Sequence, residues 1–311
     1  MYAKWNPWHG CVKCSPGCEH CYMYFLDKAY GAVRDGSEIR RNSDALFRAP
    51  VAKDRKGNYK VQSGQKLNVC MTSDFFLEQA DEWRPAAWDM IRARPDVIFW
   101  ILTKRAGRIR QCLPLDWGLG YENVVLNVTA ETQEKADLRV PALLDIPAKH
   151  RGVCVAPWIA PVLLRDYLST GGLEQVCGGG ENYDGARVCD FDWVRLLREE
   201  CASRNITFCW YETGTYFRKD GRTWHIPSKT EQSRQAFYSG MNFQGRKPKY
   251  ILKSPEDGHV LRPEELYTPS WCAHCIGCAN RMICGGCGGR KCNHCGWGRI
   301  SEQEALSRAA K

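Results

Sequence analysis

Short apolar segments that end in polar residues recur along the chain from residue 67 and alternate with segments of helical periodicity. Six of them predict buried strands: 67–74, 97–104, 123–131, 152–157, 174–181 and 206–212. Four segments that follow these strands predict helices, from apolar residues near helical spacing or from the start of a basic helix. They are 79–94, 105–112, 132–144 and 191–204. Nearly continuous apolar strands separated by helices favour a parallel sheet with the helices outside. The pattern therefore predicts an α/β fold, a partial or full (βα) barrel.

Polar residues follow nearly every predicted strand. They are Ser73, Asp74, Thr103, Lys104, Glu131, Glu181 and Glu212. In a parallel barrel the carboxyl ends of the strands surround one mouth, and active sites lie there. Any one of these residues could simply begin an exposed loop, but the whole set predicts a shared site at this mouth.

The remaining parts of the chain lack this alternation. Residues 27–66 are polar and without sustained periodicity, which predicts a solvated loop or a basic lip over the site. Residues 216–270 include the basic segment 245–253 and are interpreted as a loop-rich linker. The predicted domains are therefore a barrel at 1–215, this linker, and a cysteine-rich metal-binding segment with a polar tail at 271–311.

Four cysteines lie within the stretch WNPWHGCVKCSPGCEHCY at 5–22, and they are Cys11, Cys14, Cys18 and Cys21. The last three have the spacing C-x3-C-x2-C. Three thiolates can ligate three irons of a [4Fe–4S] cluster and leave the fourth iron open to the amino and carboxylate groups of S-adenosylmethionine (SAM). Four thiolates could equally hold one zinc ion. The aromatic residue after the last cysteine and the βα order behind the loop favour iron.

A glycine-rich turn, GGGE, ends the predicted strand 174–181. Gly178, Gly179 and Gly180 would let the backbone approach a ligand closely, and Glu181 could accept hydrogen bonds from an ammonium group. Such turns are common after strands. Beside a cluster with an open iron, this one becomes a candidate for holding the methionine part of SAM.

Seven more cysteines lie close together near the end of the sequence. They are Cys272, Cys275, Cys278, Cys284, Cys287, Cys292 and Cys295. Repeated C-x2-C steps in so small and glycine-rich a segment indicate metal binding, because the segment could hardly fold without it. One interpretation is an auxiliary iron–sulfur cluster with ferredoxin-type ligation. The other is a pair of zinc sites completed by His274 or His294, in a segment whose basic residues would suit nucleic-acid binding.

The cysteine content, the apolar runs and the net charge narrow the range of protein classes to which the sequence could belong. The 311 residues include 18 cysteines, and C-x2-C spacings are typical of metal ligation in a reducing compartment. The sequence has no export signal and no apolar run of about 18 residues, so we expect a cytoplasmic protein that does not span a membrane. A net charge of +9 permits a polyanionic partner but also lies within ordinary variation.

Five segments resemble an uncharacterised family of phage-type radical-SAM-like proteins, found in bacteriophages and bacterial genomes. The sequence is more distantly similar to spore photoproduct lyase. The matching segments lie in residues 1–215 and read WNPWHGCVKCSPGCEHCY, MTSDFF, FWILTKRAGRI, NVVLNVTAETQEKADLRVPALL and VCGGGENYDGARVCDFDWVRLLREEC. The resemblance implies a radical-SAM partial barrel in which Ser73, Asp74 and the 178–181 turn lie near the cofactor.

The sequence departs from the family pattern in three places. Family members usually have a cysteine at the position of Cys11 and none at that of Cys14, whereas common radical-SAM spacing favours Cys14 beside Cys18 and Cys21. A Ser-x-Glu-Pro segment of many members is replaced by VAPW at 155–158. The seven-cysteine tail has no counterpart, which points to a distinct subgroup with its own substrate.

Together these observations predict a radical-SAM enzyme that reductively cleaves SAM, with an electron donor such as flavodoxin or ferredoxin. The substrate would be a nucleotide, a nucleic acid or a small amino-acid-like molecule. The same cluster could instead catalyse transfer of the aminocarboxypropyl group of SAM. A non-enzymatic zinc protein that binds nucleic acid is the alternative of another class. It would explain the cysteine tail but leave the first loop without a purpose.

Each candidate residue has an expected role in such an enzyme. His20 and Tyr22 would pack near the adenine of SAM, and Glu181 near its methionine amine. Asp74 or Glu131 would lie near the ribose. The remaining two candidates, for contact with the substrate, are Lys104 and Glu212.

Overall fold

A curled, seven-stranded parallel sheet in the form of a half barrel is the centre of the fold. The computed structural model describes residues 4–29, 36 and 38–268. The strands are β1 (Lys4–Trp5), β2 (Trp8–His9), β3 (Arg40–Arg41), β4 (Lys66–Val69), β5 (Ile98–Thr103), β6 (Val124–Thr129), β7 (His150–Val155), β8 (Gln175–Gly179), β9 (Val188–Asp190), β10 (Thr207–Glu212), β11 (Tyr216–Lys219) and β12 (Arg222–His225). The order in the main sheet is β1-β4-β5-β6-β7-β8-β10.

Helices connect most of these strands, as a parallel sheet requires. They are α1 (Tyr22–Ala29), α2 (Asp44–Phe47), α3 (Arg84–Arg92), α4 (Gln133–Leu144), α5 (Arg165–Ser169), α6 (Phe191–Ala202) and α7 (Lys229–Tyr238). None of the helices in the described residues is long and apolar enough to cross a membrane.

The central strands are apolar on both faces because both faces are buried. On β5, Phe99 and Ile101 belong to the large core that also contains residues of the surrounding helices. Trp100, between them in sequence, belongs to a smaller cluster on the opposite face. Leu102 and Tyr211 pack against this smaller cluster and line a cavity. The inner face of the half barrel therefore leads directly to that cavity.

The predicted alternation of strands and helices is confirmed, and the α/β half barrel with it. One element differs. Residues 105–112 were predicted to begin a helix but form two short 3₁₀ turns, Ala106–Arg108 and Arg110–Cys112. Gly107 lies within the first turn, and glycine is a poor helix former. The polar residues at the ends of the predicted strands mostly lie just beyond the observed strands, in the connecting turns.

Residues 216–268 contain more regular structure than a loop-rich linker would. Strands β11 and β12 form an antiparallel hairpin, and β11 also pairs in parallel with β9. Helix α7 packs against β10. Farther along, Phe243 and Phe208 of β10 exchange backbone hydrogen bonds of 2.9 Å. The prediction of a linker is therefore wrong for much of this segment, whereas the seven C-terminal cysteines lie outside the described residues.

A buried ion pair fastens part of the polar stretch 27–66 to the amino end of the sheet. The guanidinium of Arg94 donates to both carboxylate oxygens of Asp96, over 2.8 and 2.7 Å, and both side chains are almost completely buried. Arg94 also donates to the carbonyl oxygens of Pro50 and Val61, the latter over 2.7 Å. Its guanidinium lies 3.9 Å from the centre of the Tyr59 ring. This part of the stretch is consequently not a freely solvated loop.

Candidate functional site

The cysteine loop lies across the carboxyl ends of β4 and β5 and is fastened there by its backbone. The Gly10 N–H donates to the Thr72 carbonyl over 3.1 Å, and the Ser73 hydroxyl donates to the Gly10 carbonyl over 2.5 Å. Gly10 has φ +92°, and a Cβ there would lie 2.2 Å from the Glu38 carbonyl oxygen, so only glycine fits. Arg105, after β5, donates to the Val12 carbonyl over 2.7 Å.

The four cysteines of this loop differ in their surroundings. Cys11, Cys18 and Cys21 line the cavity at the carboxyl ends of the strands, whereas Cys14 is exposed and does not line it. The distance from the Cys11 Sγ to the Arg105 Nη1 is 3.8 Å. The structure thus brings three of the four thiols to one cavity, in the pattern that the family resemblance favours.

Nearby charges affect these thiols unequally. Burial raises the pKa of Cys11 to about 11, and the charge of Asp74 adds to the rise. A hydrogen bond from Cys14 lowers the pKa of Cys18 despite its burial, and the charge of Lys104 lowers it further. Of the three thiols that line the cavity, only Cys18 is thereby favoured as the thiolate, the form that ligates metals, since burial also raises the pKa of Cys21.

The polar residues that follow the strands converge as predicted. Ser73, Asp74, Thr103, Lys104, Glu181 and Glu212 all line the same cavity as the three cysteines. His20 and Tyr22, from the cysteine loop and the start of α1, line it as well. The cavity has a volume of about 210 Å³, below the roughly 300 to 1,000 Å³ of common ligand pockets. A ligand as large as SAM would therefore extend to its mouth.

Asp74 joins the ends of β4 and β5. Its Oδ1 accepts from the Phe76 N–H over 2.9 Å and from the Thr103 hydroxyl over 2.7 Å. Its Oδ2 accepts from the Lys104 N–H over 3.0 Å and from the Arg105 guanidinium over 3.1 Å. With four hydrogen bonds already formed, this buried carboxylate orients Arg105 and the turn after β5.

We expect Asp74→Asn to lower the free energy of unfolding by about 1–3 kcal/mol, because an amide group would turn two donor hydrogens towards the Lys104 N–H and the Arg105 guanidinium. Urea unfolding followed by circular dichroism measures the change. Asp81→Asn is the matched control, since the Asp81 side chain is 55% exposed although it pairs with Arg84 and Arg108. Equal losses in the two variants would contradict the role assigned to Asp74.

Glu131 lies behind the cavity and does not line it. Its Oε2 accepts from Arg139 over 2.7 Å, while the buried Oε1 has no hydrogen-bond partner. Gly17 of the cysteine loop packs against it, since a Cβ at Gly17 would lie 2.9 Å from the Glu131 Cγ. Burial lowers the pKa of Lys104, but the charges of Cys18, Glu131 and other neighbours outweigh this effect and raise the pKa overall.

The glycines of the GGGE turn are accounted for by close packing within the protein. A Cβ at Gly178 would lie 2.8 Å from the Trp158 ring, and one at Gly179 would lie 2.5 Å from the Tyr211 ring. A Cβ at Gly180 would lie 2.2 Å from the Thr213 carbonyl oxygen. Of the three, only Gly180 lines the cavity.

Glu181, at the end of this turn, is paired with Arg187. The guanidinium donates to its Oε1 over 2.6 Å and to its Oε2 over 2.8 Å. The same guanidinium also donates to the Pro16 carbonyl over 2.9 Å and to Glu19 over 3.2 Å. Arg187 thereby links the cysteine loop to the end of β8, on the side opposite Arg105.

Two further candidates have protein partners at the cavity. Glu212 accepts from the Asn182 amide over 2.8 Å and from the Lys229 ammonium, which lies in α7. The Tyr22 hydroxyl donates to the Met71 carbonyl. These contacts join the α7 segment and the cysteine loop to the same rim.

Residues 1–251 match the model of a family described as "Protein of unknown function (DUF5131)". The chain belongs to the DUF5131 family. No curated protein and no solved structure matches it. The DUF5131 match includes every residue that lines the cavity and ends before the seven C-terminal cysteines. The cavity is therefore a feature of the part that this chain shares with its family.

A single metal ion and an iron–sulfur cluster place different requirements on the donor set of this site. Among the described residues, no three His, Cys, Asp or Glu side chains converge on a point where one metal ion could bind. A structural zinc ion needs four donors around one point. In an iron–sulfur cluster each thiolate ligates a different iron, so a cluster does not require three side chains to meet at one point.

Sequence reasoning missed the two arginines that hold the loop in this DUF5131 site. Arg105 contacts Asp74 and the Val12 carbonyl, and Arg187 contacts Glu181 and the Pro16 carbonyl. The available signal in the sequence was that each arginine follows a candidate residue at the end of a predicted strand. Arg105 comes directly after Lys104, and Arg187 comes six residues after Glu181. Nothing in a periodic pattern shows that both side chains reach the cysteine loop.

Proposed function

We propose that this protein is a radical-SAM enzyme whose [4Fe–4S] cluster is held by Cys11, Cys18 and Cys21. The observation that carries the proposal is the presence of these three thiols on one cavity at the carboxyl ends of a parallel half barrel. The spacing of the cysteines and the resemblance of residues 1–215 to radical-SAM-like proteins support it further.

When bound, a reduced cluster with SAM at its open iron would supply the electron that cleaves a carbon–sulfur bond of SAM. The chain's own residues would hold the thiolates in place and balance their charge. Lys104 lies close enough to Cys18 to lower its thiol pKa, and the Arg105 guanidinium lies 3.8 Å from the Cys11 sulfur. Asp74 keeps Arg105 in that position, since it accepts from the same guanidinium over 3.1 Å.

The carboxylates of the site have different capacities for a ligand. Asp74 accepts four hydrogen bonds, so its proposed part is to position Arg105. Glu181 now binds the Arg187 guanidinium, so it would contact the SAM ammonium only if that group displaced Arg187. Glu131 is completely buried and does not line the cavity, so its expected contact with the ribose would require the loop at Gly17 to move aside. His20 and Tyr22 would contact the adenine.

The substrate would approach the same mouth. Lys104 and Glu212 line it as one positive and one negative group, although Glu212 already binds the Lys229 ammonium, which a cationic group of the substrate would have to displace. A nucleotide, a nucleic acid or a small amino-acid-like molecule could use such a pair, and an electron donor such as flavodoxin or ferredoxin would reduce the cluster. Protein side chains would here serve mainly to orient the reactants and to exclude water.

The test is cleavage of SAM by the purified full-length protein. We would purify it without oxygen, reconstitute it with iron and sulfide, reduce it with dithionite, and add SAM. Formation of 5′-deoxyadenosine that depends on the reductant is expected. Formation of methylthioadenosine in its place would identify transfer of the aminocarboxypropyl group by the same site.

Two results would contradict the proposal. One is a reconstituted protein that carries a cluster but leaves SAM intact with or without the reductant. The other is a colourless protein that takes up only zinc, which would favour the non-enzymatic, nucleic-acid-binding alternative. A reaction without dithionite is the control for non-reductive breakdown of SAM.

A further inference from the structure

A second cleft lies at the amino ends of β7, β8 and β10, on the other end of the sheet from the cysteine cavity. It has a volume of about 440 Å³. Residues that precede or begin these strands line it, including His150, Glu174 and Ile206. Since strand β7 runs from His150 to Val155, its full length separates this cleft from the cavity at the carboxyl ends.

The lining of this cleft is strongly basic. Its cationic residues outnumber its two carboxylates, Glu122 and Glu174, and they are Lys149, Arg204, Arg246, Lys247 and Lys249. Lys149 pairs with Glu122 over 3.2 Å. The described residues provide no ion-pair partner for Arg246, Lys247 or Lys249. Three unpaired cations therefore lie at one edge of a concave surface.

The backbone of the basic segment is held firmly against the sheet. The Gly245 N–H donates to the Thr207 hydroxyl over 3.1 Å, and the Arg246 N–H donates to the Asn205 carbonyl over 2.9 Å. Gly245 allows this close approach, since a Cβ there would lie 2.5 Å from the Asn205 carbonyl oxygen. Arg246 accordingly extends from a backbone of defined position, and Lys247 follows it directly in the sequence.

His150 provides an independent sign of a ligand. The residue is 4% exposed and lines the cleft, and its ring centre lies 4.3 Å from that of Tyr250. Its Nδ1 lies 2.9 Å from a carboxylate oxygen of Glu174, whereas its Nε2 is buried without a hydrogen-bond partner. A hydrogen-bonding group of a ligand in the cleft would supply the missing partner.

We propose that this cleft is a binding site for phosphate groups, in which Arg246, Lys247 and Lys249 bind phosphate oxygens beside His150. Guanidinium and ammonium groups are the usual partners of phosphate. The phosphates could belong to a small polyphosphate compound or to a nucleic-acid backbone. The proposal does not depend on SAM chemistry, because no residue of the cleft lines the cysteine cavity.

The test measures binding of two probes to the full-length protein. One is a fluorescein-labelled single-stranded oligonucleotide of about 12 nucleotides, within the usual range of single-strand sites, followed by fluorescence anisotropy. The other is inorganic pyrophosphate, followed by isothermal titration calorimetry. Arg246→Glu/Lys247→Glu is expected to weaken binding of at least one probe by about tenfold or more. For the oligonucleotide, the logarithm of the association constant decreases linearly with the logarithm of the salt concentration. The variant should show a less steep decrease, by roughly 0.7 in the slope for each phosphate that it no longer neutralises.

The matched control is Arg55→Glu/Lys56→Glu, which makes the same change in net charge at two exposed residues outside the cleft. Thermal unfolding of both variants checks that they remain folded. Loss of pyrophosphate binding in the cleft variant alone identifies a small phosphate compound as the ligand, and loss of oligonucleotide binding alone identifies a nucleic-acid backbone. Equal losses in both double variants, or no binding of either probe to the wild-type protein, would overturn the proposal.

Discussion

Cys11→Ala, Cys18→Ala and Cys21→Ala are each expected to reduce SAM cleavage by more than about 100-fold, whereas Cys14→Ala, which removes only a hydrogen bond to the Cys18 sulfur, should cost less than that. Loss of a group that merely supports a metal ligand already costs about 10–100-fold, so loss of a ligand should cost more. The reason for separating Cys14 from the others is its position, since it is exposed and does not line the cavity. Initial rates of 5′-deoxyadenosine formation measure the effect.

Cys112→Ala is the control for replacing a thiol elsewhere. Cys112 is half-buried, and its sulfur lies near Arg84 and Arg108, away from the cavity lining. Its replacement should leave the rate nearly unchanged. Loss of activity in Cys14→Ala together with activity in Cys11→Ala would show that the common radical-SAM spacing, C-x3-C-x2-C, provides the ligands.

Arg94→Met is expected to destabilise the protein by about 3–5 kcal/mol, because it leaves the Asp96 carboxylate buried without its cation. Asp96 is almost inaccessible to water, and its other partner is the Ser63 hydroxyl at 2.9 Å. Arg94 also binds the Pro50 and Val61 carbonyls, so the segment between them would lose its attachment. Equilibrium unfolding in urea measures the free energy.

Arg92→Met, two positions before Arg94 in the sequence, is the matched control. Arg92 pairs with Asp89 over 2.6 Å and with Asp116 over 2.9 Å, but its side chain is 45% exposed. Water screens exposed ion pairs, so the change should be much smaller. Similar losses in the two variants would contradict the importance given to burial. The double variant Arg94→Met/Asp96→Leu should recover part of the stability lost in Arg94→Met, since neither charge then remains buried without its partner.

The two ends of the half barrel have different chemistry. At the carboxyl ends, thiols, carboxylates, Lys104 and Arg105 line one cavity together. At the amino ends, cationic residues outnumber carboxylates around a separate cleft. The experiments on SAM cleavage and on phosphate binding address these two ends separately.

Much of the fold follows from local patterns in the sequence. Continuous apolar runs predicted β5 and β6, whose two faces are both buried, and helical periodicity predicted α6. Polar residues placed after the strands predicted that Asp74 and Glu212 would share a cavity. These predictions succeeded because strand direction in a parallel sheet brings all carboxyl ends to one side.

Other features could not be predicted in this way. Helix α7 and the hairpin of β11 and β12 lie in a stretch without clear periodicity, where contacts with the rest of the chain decide the conformation. The attachment of 50–61 depends on Arg94, whose partners are up to 44 residues away in sequence. A basic residue beside a helix end looks the same in a sequence whether its charge is buried or solvated.

The sequence by itself determined the alternation of strands and helices between residues 67 and 212, the presence of a four-cysteine loop, and the end of the sheet at which the polar residues gather. Only the tertiary structure decided which three thiols face the cavity, how Arg105 and Arg187 hold the loop, and where a basic cleft opens. The physical reason is the range of the forces involved. Periodic burial of side chains is encoded locally, whereas an ion pair or a cavity depends on residues that only the packed chain brings together.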